Sequence, residues 1–577
     1  MLPAYKLVVV NLVLSALLAI GLITYRYIFS KRKINPFYLL ILISMLPIIS
    51  IFRMGTYESG DFSINVYKSM SFFNSLSEGN IIPRWAGELN ATYGYPLFIF
   101  TYPLPFYIVS FFHFFGFSFI LSLKLLIAIS FITSGIFMYL WVKEELGKLP
   151  AIVASIFYLY SPYHLVDTHF RISIGEIVSF AILPLSLFSI KKFIKYPKLK
   201  WFLLIVSSFF LLFLCNPAIS LVAIVIIVIY ATFAWKENKA NIVALRNCFF
   251  AIMLSLFLSA FYWIPVIAES KYTHQNLYVK EISFVQIQNL LYSPWKFGLL
   301  FQGPKGELSF AVGYLQLIVI ALCMLFLYKN FFTNQEKAKA VLYLSLVFIF
   351  CFFMLPQSKF IWDNVPILRN FQFTYRLLLF VSLFTALLAG IVARKINKKL
   401  LLILCVAAIL QTILNWGNRG TIPSINDDTL KSNLSYSTYE GEGFHPATPK
   451  WVDYKNPWKK IVPEEHLEIL QGDASVKELR RTSTKHEYEI KINHPSFFKE
   501  NTLYFPNWTA TANDKNISIK YDDQKYPGII TFKLDKGLYH VNVIFNDTPI
   551  RIVSKFISVT TFGMLLALLF LKKIKII

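Results

Sequence analysis

The stretch FILSLKLLIAISFITSGIFMYLWV, Phe119–Val142, carries one charged residue, Lys124, in 24 positions, and Lys143 and Lys148 follow it. An apolar run of that length reads as a helix crossing a bilayer, which takes ~20 residues. Working outward, the same pattern recurs at Leu7–Tyr25, Pro36–Phe52, Leu149–Tyr160, Ile172–Ile190, Trp201–Ile219 and Leu221–Trp235. It continues at Cys248–Ile267, Phe310–Tyr328, Ala340–Leu355, Tyr375–Val392, Leu400–Trp416 and Phe556–Leu571, giving thirteen runs in all. Several fall short of a full span, so polar residues at their ends must complete them. Composition agrees: 56% of the 577 residues are hydrophobic and 15% charged, against about 25% charged in soluble domains. A string of soluble domains is excluded. The formal charge of +24 would suggest nucleic acid in a soluble chain, but here the basic residues follow the loops, and no nucleic-acid partner is expected.

The basic residues cluster in alternate connections. The clusters are Arg26/Lys31/Arg32/Lys33, Lys143/Lys148, Lys191/Lys192/Lys195/Lys198/Lys200 and Lys236/Lys239/Arg246, then Lys329/Lys337/Lys339, Arg394/Lys395/Lys398/Lys399 and Lys572/Lys573/Lys575. The positive-inside rule places them in the cytoplasm. Thirteen spans then give an outside N-terminus and a cytoplasmic C-terminus, provided Leu104–Phe115 does not cross. That stretch is short and interrupted by Pro105 and His113, so it is expected to lie along the outer interface. No small-residue cleavage site precedes Arg26, so Leu7–Tyr25 is kept as a span. The five cysteines all fall within apolar runs, and neither a disulfide framework nor a zinc spacing follows.

Four outer segments hold most of the polar residues: Arg53–Pro103, Ser161–Glu176, Glu269–Ser309 and Pro356–Arg376. A fifth, Gly417–Lys555, differs in kind. Its apolar residues alternate at Tyr488/Ile490/Ile492, Ile530/Phe532/Leu534 and Tyr539/Val541/Val543/Phe545, with turn signals at Pro527-Gly528 and Lys536-Gly537. That period predicts a β-sandwich outside the membrane, tethered by a final helix. The expected organisation is a helical membrane domain over 1–416 with its first outer loop at 53–103, the β-domain over 417–555, and a last helix with a basic tail over 556–577.

Asp61 lies just beyond the second run, near Glu58. A carboxylate there is either a solvated loop acid or a general base for an acceptor hydroxyl. Arg171 and Arg376 stand at the outer ends of spans; they either snorkel and pair with acids such as Glu176, or hold phosphate oxygens in their donor forks. His164, Asp167 and His169 sit close enough to suggest metal ligands, but their spacing matches no strong pattern. Trp85, Tyr93, Tyr95, Phe98, Phe100, Tyr102, Phe106 and Tyr107 form an interfacial aromatic belt that can also stack on sugar rings. There is no phosphate-binding loop, dinucleotide fingerprint or Ser/His/Asp pattern.

Asp61 followed by GNIIPRW (Gly79–Trp85) and YGYPLFIFTYPLPFY (Tyr93–Tyr107) resembles the first loop of GT-C-fold membrane glycosyltransferases. More narrowly it resembles the 6-pyruvoyl-tetrahydropterin synthase-related membrane family and its YfhO-like relatives. YLYSPYHLVDTHFRISIGEIVSFAILPL (Tyr158–Leu185), LSAFYWIPVIAES (Leu258–Ser270) and FQFTYRLLLF (Phe371–Phe380) extend the resemblance in order. It implies a polytopic α-helical GT-C-like fold and a glycosyltransferase in a prokaryotic plasma membrane. The donor would be a polyprenyl-phosphate-linked sugar and the acceptor a lipid or polysaccharide on the outer face, among membrane lipids. Asp61 matches the first-loop catalytic acid; Arg171 and Arg376 would hold the lipid phosphate, and Glu176 would orient Arg171. Glu58, Asn65, Arg84, Tyr163, His164, Asp167 and Glu269 complete the candidate set for contacting or orienting substrate. The family often has His four residues after the Asp, where this chain has Asn65, which cannot titrate near neutral pH. The pterin label implies no pterin chemistry, since no zinc-binding histidine triad is evident. No cofactor is assigned, and a divalent metal ion beside Asp61 is left open. The alternatives are a transporter or flippase of a lipid-linked glycan, and a non-catalytic envelope scaffold.

Overall fold

The computed structural model describes residues 4–29, 35–274, 282–365, 368, 371–417, 420–433, 446–452 and 462–570. Helices fall on each of the thirteen apolar runs. Eight are long and apolar enough to cross a membrane alone, and two bent pairs raise the number to ten: Lys148–Leu159 with Pro162–Arg171, and Ile242–Leu258 with Ala260–Tyr272. The remaining three runs form shorter apolar helices at Phe37–Phe52, Leu199–Cys215 and Tyr314–Tyr328. The helix Leu104–Phe114 has 11 residues and is ~16 Å long, about half of a hydrocarbon core. Some boundaries differ from expectation. The break between the sixth and seventh runs falls at Asn216-Pro217, because Pro217 starts a helix and Asn216 Oδ1 accepts from Ile219 N at 3.2 Å.

Among the described residues three helices carry a proline beyond their first turn, and each such proline leaves the carbonyl four residues earlier without its helical N–H. In a bilayer such a carbonyl needs another donor, and each one has it. Pro47 frees Ile43, whose oxygen accepts from the Tyr160 hydroxyl at 2.6 Å. Pro184 frees Phe180, which accepts from the Tyr158 hydroxyl at 2.8 Å. Pro265 frees Phe261, which accepts from Arg84 Nη2 at 2.8 Å. Tyr158→Phe and Tyr160→Phe are each expected to destabilise the chain by about 1–3 kcal/mol, the cost of a buried unsatisfied carbonyl. Thermal unfolding in detergent reads this out, and an unchanged midpoint for both would refute the capping role.

At one end of the bundle, the start of the Phe119–Leu146 helix is tied to distant segments. Asp427 accepts from Phe119 N at 2.5 Å and Ile120 N at 3.1 Å, which suits a carboxylate at a helix N-terminus. Lys124, the charge inside that run, donates to the carbonyls of Arg53 and Gly55, both at 2.6 Å. At the other end of the same helix, ~40 Å away by its length, Glu145 and Glu237 face Lys191 and Lys339. The four contacts are 3.1, 2.7, 2.6 and 2.7 Å, joining four helices in a square of alternating charge.

The C-terminal region forms one six-stranded antiparallel sheet in the order Leu467–Arg481, Lys485–Leu503, Gly537–Phe545, Trp508–Ala512, Lys515–Ile517, with Ile529–Leu534 also on Lys485–Leu503. The strands are β3 (Leu467–Arg481), β4 (Lys485–Leu503), β5 (Trp508–Ala512), β6 (Lys515–Ile517), β7 (Ile529–Leu534) and β8 (Gly537–Phe545). The long β4 pairs with β8 over Lys485–Ile492 and with β7 over Ser496–Leu503. The alternating residues Tyr488, Ile490, Ile492, Phe532, Val541 and Val543 are buried. A separate two-stranded ladder joins β1 (Thr56–Tyr57) to β2 (Thr421–Ile422).

The segment Arg53–Pro103 packs on this sheet. Glu78, just past the helix Phe62–Ser77, accepts from Ser483 N in the β3–β4 turn at 3.0 and 2.9 Å. Trp85 meets Trp508 and Phe545 at 5.2 and 5.0 Å between ring centres. The last helix begins at Pro549 rather than Phe556, because Arg551 in its first turn pairs with Glu269 at 2.9 Å.

Candidate active site

The segment expected as a short outer loop, Ser161–Glu176, is a helical hook. Pro162–Val166 is helical, Asp167–Arg171 widens into a π-turn, and Ile172 then takes a left-handed conformation (φ 57, ψ 44). A β-branched residue in that region is strained by ~1–2 kcal/mol, and such strain concentrates at functional sites. The hook holds Asp61 in place. Gly60 N donates to Phe170 O at 2.7 Å and Asp61 N to Arg171 O at 3.0 Å. A Cβ on Gly60 would sit 3.0 Å from that same Arg171 oxygen, so a side chain there would have to push the hook back by a few tenths of an ångström. Asn65 Nδ2 donates to the Ile172 carbonyl at 2.9 Å. The amide at the position where the family often has His is therefore a buried backbone donor. Asn65→Ala should cost about 1–3 kcal/mol, read as a lowered unfolding midpoint; no change would sever Asn65 from the strained turn.

Asp61 stands immediately before the helix Phe62–Ser77 and makes no side-chain capping bond to it. Its carboxyl is thus available to a ligand. Burial raises its pKa from the ordinary 3.8, and Lys68, Arg171 and Arg376 pull it back down. Tyr102 belongs to the same neighbourhood: burial and the Asp61 charge push its phenol up to about 12. Its ring lies where a Cβ on Gly175 would be, 2.7 Å away.

Beside Asp61 lies a buried ion triad. Glu176, fully buried, accepts from Arg171 Nη1 and Nη2, both at 3.0 Å, from the Tyr163 hydroxyl at 2.6 Å and from Ser173 Oγ at 3.3 Å. Arg376 Nε lies 3.0 Å from the same carboxylate. The Arg171 guanidinium is stacked 5.0 Å from the centre of the Tyr375 ring, and its Nη1 also reaches the Tyr163 hydroxyl at 2.7 Å. The two arginines are not equivalent. Arg171 is closed in by Glu176, Tyr163 and Tyr375. Arg376 uses Nη1 on the Phe371 carbonyl at 2.9 Å, and its Nη2 has no partner among the described residues. Asp167 Oδ1 is 3.4 Å from Arg171, whereas its Oδ2 is buried without a hydrogen bond.

Several other candidates sit elsewhere. His164 is fully buried with its ring stacked on Phe180 at 3.9 Å, so it is a core residue rather than one facing substrate. Glu58 is exposed, with its backbone N–H donating to Gly420 O at 2.9 Å. Arg84 and Glu269 form a second cluster with Arg551, at the junction of the first loop, the sheet and the last helix. Arg551 is fully buried and donates from Nε to both Glu269 oxygens at 3.0 Å. Burial and the neighbouring Arg551 lower the Arg84 pKa to about 10, and its Nη2 serves the Phe261 carbonyl. No group of three His, Cys, Asp or Glu side chains suited to a metal ion occurs among the described residues. Tyr375, Ser173 and Lys68 join the site without having been singled out, and Tyr102 joins it from the aromatic belt; the signal available for Tyr375 was the motif FQFTYR.

Among known proteins, an uncharacterised protein of Lactococcus lactis subsp. cremoris is 22% identical over 251 residues, which is 42% of this chain and 41% of that protein. The cryo-EM structure of the arabinofuranosyltransferase AftD from mycobacteria is similar with a TM-score of 0.46 at 16% identity, covering 75% of this chain and 31% of AftD. A mutant of that enzyme gives 0.41 at 13% identity, over 66% and 28%. The chain thus spans less than half the length of each of these relatives. The family model for the 6-pyruvoyl-tetrahydropterin synthase related domain, a membrane protein family, matches residues 100–418, more than half of the chain. On that match the chain belongs to the 6-pyruvoyl-tetrahydropterin synthase-related membrane protein family.

Proposed function

We propose that this chain is a GT-C-type glycosyltransferase of a prokaryotic plasma membrane. It would transfer a sugar from a polyprenyl-phosphate-linked donor to an envelope glycan or lipid acceptor on the outer face. The N-terminus lies outside and the C-terminus in the cytoplasm, with all thirteen apolar helices crossing. The observation that carries this reading is Asp61 beside the Arg171–Glu176–Arg376 triad, with one Arg376 nitrogen unengaged among the described residues.

The geometry suits the chemistry. Asp61 takes the proton of the acceptor hydroxyl as its oxygen attacks the anomeric carbon. The bond from that carbon to the phosphate oxygen breaks, and its electron pair leaves with the lipid phosphate. Arg376 Nη2 meets the charge developing there, while Arg171 and Glu176 hold Arg376 in position. Fixed donors of this kind stabilise the transition state more than the ground state.

A transporter would need a path through the other end of the bundle. The Glu145–Lys191–Glu237–Lys339 square closes that end with buried ion pairs, and opening it would expose uncompensated charges. This weighs toward a one-sided enzyme.

The test is mass spectrometry of lipid-linked sugars and envelope glycans in a deletion strain with and without the wild-type gene. A polyprenyl-phosphate sugar should accumulate on deletion while one glycan loses that sugar, and the gene should restore both. Unchanged lipid-linked sugars and glycans on deletion would refute transfer.

A further inference from the structure

Outside the candidate active site, aromatic rings gather where the segment 446–452 meets the sheet. That segment runs beside 270–274, with Lys450 N donating to Tyr272 O at 2.9 Å and His274 N to Thr448 O at 3.0 Å. The pairing lays Trp451 on Tyr272, 5.9 Å between centres and 19° from parallel. From the sheet side Tyr504 and Tyr521 stack on each other at 3.7 Å and 2°, and meet Trp451 at 5.2 and 5.3 Å. Gly528 fixes that pair, its carbonyl accepting from Tyr504 N and its N–H donating to Tyr521 O, at 2.7 and 2.8 Å. All four rings are partly exposed, in contrast to the buried Trp85–Trp508 pair that seals the loop to the sheet.

The cluster connects to the site. Phe505 lies 6.1 Å from Tyr272 and 6.2 Å from Phe100, and Phe100 is two residues from Tyr102 beside Asp61. Aromatic rings therefore run from the Asp61 neighbourhood out onto the sheet. Lys271 and Lys450 add charge: their Nζ atoms stand 5.1 and 5.5 Å from the centre of Tyr272, and Lys450 is 5.4 Å from Trp451. Both lysines are exposed, and neither is ion-paired among the described residues. The nearby Asp523 turns its carboxylate onto the backbone N–H groups of Lys525 and Tyr526.

From this arrangement we infer that Tyr272, Trp451, Tyr504 and Tyr521, with Lys271 and Lys450, form a docking track for an acidic polysaccharide acceptor. The inference rests on the glycosyltransferase reading and names its acceptor class. Flat, partly exposed rings carrying hydroxyls suit the C–H faces and edges of sugar rings. Lysines without an ion pair among the described residues suit carboxylate or phosphate substituents. A lipid acceptor has no use for a track leading away from the bundle onto the sheet.

The test is calorimetric titration of the full chain in lipid nanodiscs, without donor. The probes are a long oligogalacturonate, the galacturonate monomer and a neutral malto-oligosaccharide of the same length. The acidic oligomer should bind more tightly than either of the others. Trp451→Ala should weaken it at least about tenfold. The double change Lys271→Ala with Lys450→Ala, which touches only exposed side chains, should abolish the preference for the acidic oligomer. Equal binding of monomer and oligomer, no binding by wild type, or wild-type binding by both variants would overturn the track. Binding is read without donor and transfer is read from the glycans of the deletion strain, so a failure of transfer and a failure of docking are distinguishable.

Discussion

Asp61→Asn should lower sugar transfer by about 100- to 10,000-fold, the range a general base contributes, while leaving the protein folded and inserted. The amide keeps the size of the carboxylate. The contact that positions the residue is its backbone N–H to the Arg171 carbonyl at 3.0 Å, which the substitution spares. In the wild type the base must be ionised to accept a proton. Because burial raises the Asp61 pKa, the rate should fall with decreasing pH at a point above that of an unperturbed aspartate. The residual rate of the variant should lack that limb. Wild-type turnover by Asp61→Asn, measured with the lipid-linked sugar identified in the deletion strain, would refute the base assignment.

Glu176→Ala should destabilise the chain by about 3–5 kcal/mol, as expected when one partner of a buried ion pair is removed. The substitution leaves Arg171 and Arg376 facing each other and strips the Tyr163 hydroxyl of its acceptor. Glu176→Gln, which retains an acceptor oxygen, should cost less. Unfolding midpoints in detergent measure both. If Glu176→Ala unfolds at the wild-type temperature, the triad does not hold the hook, and its arginines must be fixed by something else.

The membrane class, the positions of the helices and the strand pattern near the C-terminus were readable because each depends on local periodicity. Phe119–Val142 is apolar throughout, and Tyr539/Val541/Val543/Phe545 alternate whatever lies around them. Asp61, Arg171, Glu176 and Arg376 could be singled out because ionisable groups at span ends are costly to keep. What depends on distant partners could not be read. Nothing near Arg84 says that its guanidinium serves the Phe261 carbonyl freed by Pro265, nor near Tyr160 that its hydroxyl serves Ile43. His164 looked like a loop residue, since only the folded hook shows its ring lying on Phe180. Glu269 is polar and outer, but its partner Arg551 lies 282 positions later.

The clamp between Glu78 and Ser483 has a consequence for biosynthesis. Its partners are 405 residues apart in the chain, and the strand Thr56–Tyr57 likewise waits for Thr421–Ile422. The helix that begins beside Asp61 can be fastened at its far end only after the β3–β4 hairpin has been translated and delivered to the same side of the membrane. Until then the first loop is anchored at one end, and closing so long a loop is slow. A nascent or truncated chain lacking the hairpin would thus hold Asp61 through the hook alone, with Glu78 at the other end of the helix unclamped.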